Sequence, residues 1–300
     1  MQLQVLLLVA FLLLGGALQA SREPERLRGL LWRLHFWALA PLLVFVTFST
    51  LHLDRELTLV LASAIAASWL VLGAGLAYGV LVTREPGERA TLALAAGFGN
   101  TGFVGYPLAQ LAYGHPGLAL AVLYDRLAFL IPPLAISTTV ASILGRRETR
   151  PRNRRRLRVL LANPPLLALA AALVLRAADV QPPLVSEGRS LAGLVIGPLG
   201  FLLLGLSLPL ERPAHVPVEL TRAAGALAIR FAGGPIALYA VGRVLGAEIP
   251  PVFYLLSAMP CAFHLIVLAR VYELRPALMR LLVVGSTLPA VAAVAAFSAF

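Results

Sequence analysis

Residues 97–107 read Gly97-Phe98-Gly99-Asn100-Thr101-Gly102-Phe103-Val104-Gly105-Tyr106-Pro107, which sets four glycines, an asparagine and a proline inside a chain that is otherwise almost wholly apolar. Glycine and proline lower stability in a helix interior by about 1 and 3 kcal/mol. The stretch therefore interrupts whatever helix contains it. Of the 300 residues 59% are hydrophobic and 13% charged, and the mean hydropathy of +0.86 lies far outside the soluble range. Such a chain belongs in a bilayer, where backbone groups freed by a break must be satisfied inside protein or in a wet cavity.

A spanning helix needs roughly 20 mostly apolar residues. Ten segments qualify, near 3–20, 34–51, 57–82, 90–113, 117–144, 159–175, 191–210, 223–245, 251–269 and 277–299. The connections are short, so a single helical membrane domain is expected, with no soluble domain. The net charge of +11 would fit a nucleic-acid binder, but its distribution argues against one. All 25 basic residues are arginine, and if the ten spans alternate, nineteen lie in the odd-numbered connections and three, Arg55, Arg176 and Arg189, in the even-numbered ones. That asymmetry places the arginine-rich connections in the cytoplasm and both termini outside. The densest run, 146–158, is expected to be a solvated cytoplasmic loop drawn to anionic headgroups. The first segment lacks a basic leader and a small-residue cleavage site, so it reads as a span and not a signal peptide. The single cysteine, Cys261, excludes an intrachain disulfide and a cysteine metal cluster.

The two halves echo each other. Leu39-Ala40-Pro41-Leu42 in the second span aligns with Gly197-Pro198-Leu199 in the seventh, and Leu51 then falls on Leu208. Pro41 precedes Pro107 by 66 residues, and Pro198 precedes Pro260 by 62. Five spans per half give the copies opposite orientations, the arrangement of many transporters. The expected organisation is 1–145 as the first inverted repeat, 146–158 as the basic loop and 159–300 as the second. The break in the fourth span then corresponds to Ser257-Ala258-Met259-Pro260-Cys261-Ala262-Phe263-His264 in the ninth. Paired breaks at mid-membrane mark a lined cavity where half-helix ends face a solute.

Gly99-Asn100-Thr101-Gly102-Phe103-Val104-Gly105-Tyr106-Pro107-Leu108 closely resembles the fourth-helix motif of the auxin efflux carrier family, which includes plant PIN-like carriers and bacterial carriers associated with malate and malonate. Ala40-Pro41, Leu123-Tyr124-Asp125, Asn163-Pro164-Pro165, Gly205-Leu206-Ser207-Leu208, Ala258-Met259-Pro260 and Leu268-Ala269-Arg270-Val271-Tyr272 are similar in order along nearly the whole chain. The resemblance implies an all-α polytopic fold of ten helices in two inverted five-helix repeats. Helices four and nine would be discontinuous and cross at the binding site, an architecture shared with bile-acid sodium symporters. It also suggests a homodimer. Similar carriers often have asparagine after the ninth-helix Met-Pro, where His264 is read here, so substrate choice does not carry over.

Asn100 and Thr101 offer an amide and a hydroxyl beside glycines, and the half-helix after the break presents N–H groups and a partial positive end that favour a carboxylate. The same glycines, Gly99, Gly102 and Gly105, also fit close helix packing alone. Pro107 and Pro260 would shape the site, with Gly102, Cys261 and His264 lining it, Cys261 as a small packing group with nothing basic near it. Asp125 is the one acidic residue deep in a span, a functional candidate for that reason. Neighbouring helix positions point about 100° apart, so Asp125 and Arg126 are not expected to pair, and one of them is expected to meet Arg230. A fixed charge pair between helices and a proton- or cation-coupling role both remain open for Asp125. His264 could donate to a carboxylate and link anion movement to a proton, or simply pack. Asn163 followed by two prolines is a helix start.

These readings favour a secondary transporter of a small organic anion working by alternating access, with no cofactor and with coupling to H+ or Na+ as the open choices. A sodium-coupled carrier like the bile-acid symporters, an anion pore and an intramembrane enzyme are the alternatives. Asp54 and Asp179 fall in loops, which leaves Asp125 without a second carboxylate for aspartyl-protease chemistry. No His-Glu-x-x-His motif or phosphate-binding loop ending in Gly-Lys-Ser/Thr is present. The alanine-, leucine- and arginine-rich composition points to a prokaryotic plasma membrane.

Overall fold

The computed structural model describes residues 2–50, 54–128, 163–180, 185–208 and 217–297. The expected basic loop at 146–158 and the second part of the fifth segment lie outside them. Among the described residues every regular element is helical, with one isolated antiparallel bridge between Gly99 and Cys261. The elements are α1 (Gln2–Leu18), α2 (Pro24–Leu34), α3 (Ala40–Ser49), α4 (Arg55–Val82), α5 (Pro86–Gly97), α6 (Tyr106–Leu123), α7 (Pro164–Ala177), α8 (Val185–Ser207), α9 (Pro217–Ala228), α10 (Gly234–Leu245), α11 (Pro251–Ser257), α12 (His264–Val271) and α13 (Pro276–Phe297). Wider π turns occupy His35–Leu39, Thr101–Gly105, Tyr124–Ala128 and Ile229–Gly233. Among the described residues, five stretches are long and apolar enough to cross a membrane: Pro24–Ser49, Arg55–Val82, Val185–Ser207, Leu220–Leu245 and Pro276–Ala293.

The helix starts follow local chemistry. Asp54 caps α4 by accepting from Leu57 N at 2.7 Å, and Glu85 caps α5 by accepting from Glu88 N at 2.9 Å with Pro86 behind it. Asn163 accepts from Leu166 N at 3.3 Å ahead of Pro164 and Pro165, the helix start expected there. Gly114 takes a left-handed backbone angle (φ 65°) inside α6, a conformation open to glycine without strain, and so divides α6 at the boundary expected between the fourth and fifth segments.

The chain divides into two compact units, each built from both halves of the sequence. The first falls within Met1–Leu53, Tyr106–Val122 and Arg150–Leu208. In it α1 packs on α8 through glycines. A Cβ at Gly15 would stand 2.7 Å from Leu206 N, and one at Gly205 would stand 2.9 Å from Gly16 N, so only bare backbone permits this approach. Gln19 Nε2 then donates to Gly205 O (2.7 Å) and Leu208 O (2.8 Å), fixing the register.

The second unit falls within Asp54–Gly105, Leu123–Thr149 and Pro209–Phe300. Its centre is α5, whose residues from Ala90 to Gly97 are all buried. Packed against it are α4, α9, α12 and α13. A helix enclosed on every side needs small apolar residues all round rather than one apolar stripe, and Ala90, Ala93, Ala95 and Ala96 supply them.

Candidate functional site

In the second unit α5 stops at Gly97, and Phe98 is extended (φ −113°, ψ 113°). α11 stops at Ser257, and α12 begins only at His264. The two interruptions meet. Asn100 N donates to Pro260 O at 2.7 Å and Ala262 N donates to Phe98 O at 2.8 Å, which makes a two-bond antiparallel crossing around the Gly99–Cys261 bridge. The expectation that two discontinuous helices meet corresponds to this geometry.

A helix end leaves carbonyls without intrahelical donors, and here each has found one. Ala95 O accepts from Cys261 Sγ (3.3 Å), Ala96 O and Gly97 O accept from Arg230 Nη1 (3.1 and 3.0 Å), and Phe98 O takes Ala262 N. At the end of α11, Leu256 O takes Met259 N, and Ser257 O takes Arg230 Nη2. The carbonyl-terminated side of both breaks is thus saturated by protein groups.

The donor-terminated side is different. Asn100 starts the half-helix that runs on through Thr101–Gly105 into α6. Its Oδ1 accepts from Phe103 N (3.2 Å) and its main-chain oxygen accepts from Gly105 N (3.1 Å). Its Nδ2 is buried and has no partner among the described residues, although Asn100 is only 4% exposed. The first-turn N–H groups of Thr101 and Gly102 likewise meet no acceptor among the described residues. A Cβ built at Gly102 would meet nothing within 4 Å, whereas one at Gly105 would stand 2.7 Å from Leu256 Cδ2 and 3.4 Å from Met259 Cγ. Of the three spaced glycines, Gly105 answers to packing, Gly99 would meet its neighbours at ordinary contact distance, and Gly102 faces open space.

Beside this half-helix, Thr101 Oγ1 donates to Asp125 Oδ1, and Asp125 Oδ2 pairs with Arg126 Nε at 3.3 Å. The expectation that Asp125 and Arg126 would not pair is corrected. The flexible arginine stem spans their angular separation within the π turn Tyr124–Ala128. The expectation that one of them meets Arg230 is corrected too, since the hydrogen bonds of Arg230 go to main-chain carbonyls. His264, the first residue of α12, is exposed and interacts with the charge of Asp125. Cys261 is fully buried, with its N–H on Ser286 Oγ at 3.0 Å. Contrary to the sequence reading it has a cation nearby, the guanidinium of Arg230.

Pro260 lies in the second break itself. Pro107 is placed in the first unit, at the second position of α6, where it lines an apolar groove of about 180 Å³ with Gln4, Leu8, Gln110 and Gly197. Thr101, Asp125 and Arg230 all sit in π turns, a widening found often at functional sites. What the sequence reading missed is the destination of Arg230. The pair Gly233-Gly234 after Arg230 in an apolar span was the available signal for close backbone approach there.

A family model described as a membrane transport protein matches residues 4–298. No curated protein matches the chain.

Proposed function

The chain belongs to the auxin efflux carrier family of membrane transport proteins, and from that premise we propose that it is a secondary transporter of a small organic anion bearing a carboxylate. The single observation that carries this reading is the asymmetry of the crossing: its acceptors are consumed by protein donors, while the Asn100 amide and the N–H groups of Thr101 and Gly102 find no partner among the described residues. Donors without acceptors, at the positive end of a half-helix, select an anion over a cation. A buried amide that lacks a partner carries a penalty of about 1–3 kcal/mol, which a bound carboxylate would relieve.

In this reading ten spans form two inverted repeats in a prokaryotic plasma membrane, with both termini outside. Asn100, Thr101 and Gly102 hold the carboxylate. Asp125, tied to Thr101, and His264, which feels the charge of Asp125, couple its passage to a proton. Access alternates as one group of helices moves against the other. An anion pore would share the electrostatics but not the saturation. The test is uptake and counterflow of mono- and dicarboxylates in proteoliposomes. Saturable flux accelerated by unlabelled anion on the far side is expected, and linear, non-saturating flux or none at all would defeat the proposal.

A further inference from the structure

Arg230 is 1% exposed, in the π turn Ile229–Gly233, and its hydrogen-bond partners among the described residues are all main-chain oxygens. Nη1 is shared by Ala96 O and Gly97 O, Nη2 goes to Ser257 O, and Nε has no partner. Ala96 and Gly97 are the last residues of α5, and Ser257 is the last of α11. Each such end carries roughly half a negative charge. Bringing two of them together inside protein requires a cation between them, and carbonyl oxygens converging from broken helices are the usual ligands of a coupling ion in carriers built this way.

The backbone is shaped around the guanidinium. A Cβ at Gly99 would stand 3.5 Å from Arg230 Cζ, and one at Gly234 would stand 3.2 Å from Nη2. A side chain at Gly234 would crowd the planar group, whereas one at Gly99 would only touch it at ordinary van der Waals distance. The π turn, one residue wider than the flanking helix, adjusts the register at which Arg230 faces the two ends.

We infer that the carbonyls of Ala96, Gly97 and Ser257 form a cation site that the chain fills with its own guanidinium, so that Arg230 acts as a tethered cation locking the two helix breaks together. This goes one step beyond the proposed transport and rests on it only for its consequence: the sodium-coupled alternative has no place for its ion among these three oxygens. Arg230 is a positioning residue, since it sets the crossing on which the Asn100 end depends and does not touch the solute. Removing its side chain leaves a cavity with the outline and the acceptors for a free guanidinium ion.

The experiment is chemical rescue. Purified Arg230→Ala in detergent is heated with increasing guanidinium chloride in the millimolar range, with sodium chloride at matched ionic strength as control. The expected result is a saturable rise in Tm for the variant alone, the folded population growing about tenfold at a tenfold excess over Kd. Equal shifts in variant and unaltered protein, or equal shifts with sodium chloride, would overturn the inference. Should Arg230→Ala yield no folded protein, Arg230→Lys and Arg230→Gln decide: a tethered cation requires the lysine variant to melt higher, and equal melting overturns it. In proteoliposomes, replacing sodium by N-methylglucamine is expected to leave uptake by the unaltered protein unchanged. Rescue without any organic-anion uptake would keep the cation site and sink the transport reading. Uptake without rescue would do the reverse.

Discussion

Asn100 divides its polar atoms between two tasks. The two oxygens start a helix by accepting from Phe103 N and Gly105 N, and the amide nitrogen is left over. The tasks can be separated by substitution. Asn100→Asp keeps the acceptor at the helix start, where aspartate and asparagine cap equally well, while the charge it buries is expected to lower stability by about 1 kcal/mol or more. It replaces a donor with a negative charge facing an anion, and the apparent affinity for the transported carboxylate is expected to fall by about tenfold or more. Thermal unfolding and concentration-dependent uptake measured on one preparation check both halves. Unaltered affinity would remove Asn100 from the solute's contacts. The sequence made Asn100 a candidate because an amide in an apolar span demands a reason. It could not say which of its atoms would be left over, since that follows from the backbone path of residues 98–105.

The half-helix Thr101–Gly105 shows how glycines with one spacing serve different ends. Gly105 is pressed against Leu256 and Met259, while Gly102 has open space where a side chain would stand. Gly105→Ala is therefore expected to destabilise the protein by about 1 kcal/mol, the cost of displacing the flexible end of Leu256. Gly102→Ala should leave the melting temperature nearly unchanged and lower uptake, because the new methyl stands beside the N–H groups offered to the solute. The two melting curves, set beside the two uptake rates, check the contrast. Reversal of the pattern would assign Gly102 to packing. From the sequence both glycines fit close packing equally, because spacing reports which residues share a face and not what stands opposite that face.

At the scale of the whole molecule, charge is arranged differently at the crossing and at the helix ends. The first turn of α5 is held by a buried carboxylate: Glu88 accepts from Arg222 Nη1 (2.9 and 3.0 Å) and from Thr83 Oγ1 (2.7 Å), while Glu85 pairs with Arg275 at 2.8 Å. These contacts tie α5 to α9 and to the start of α13 within the second unit. Burial alone would raise the Glu88 carboxyl above its ordinary value. The hydrogen bonds from Arg222 and Thr83 and the charges of Arg222 and Arg275 outweigh it and hold the carboxyl below that value. A carboxyl depressed in the folded state contributes stability that is fully present above its unfolded pKa, about 4.3, and lost as pH falls through the lower folded value. Glu88→Gln is expected to lower stability by about 1–3 kcal/mol at neutral pH by leaving Arg222 without its carboxylate partner. It is also expected to remove part of the acid-induced loss below pH about 4. Melting temperatures followed from neutral to acid pH check this. Parallel curves for both proteins would deny Glu88 the role.

The sequence by itself determined that the chain is an all-helical membrane protein of a transport family, because hydropathy acts on segments of about twenty residues whatever they pack against. It also determined where the helices start and where two of them break, because capping residues, glycine and proline act on their immediate neighbours. Only the tertiary structure decided which main-chain groups bond across the crossing, that Arg230 donates to the helix-end carbonyls and not to Asp125, and that Asp125 turns to Thr101 and Arg126. Which carbonyl an arginine reaches depends on the approach of segments more than a hundred residues apart, and no local pattern of residues encodes that distance.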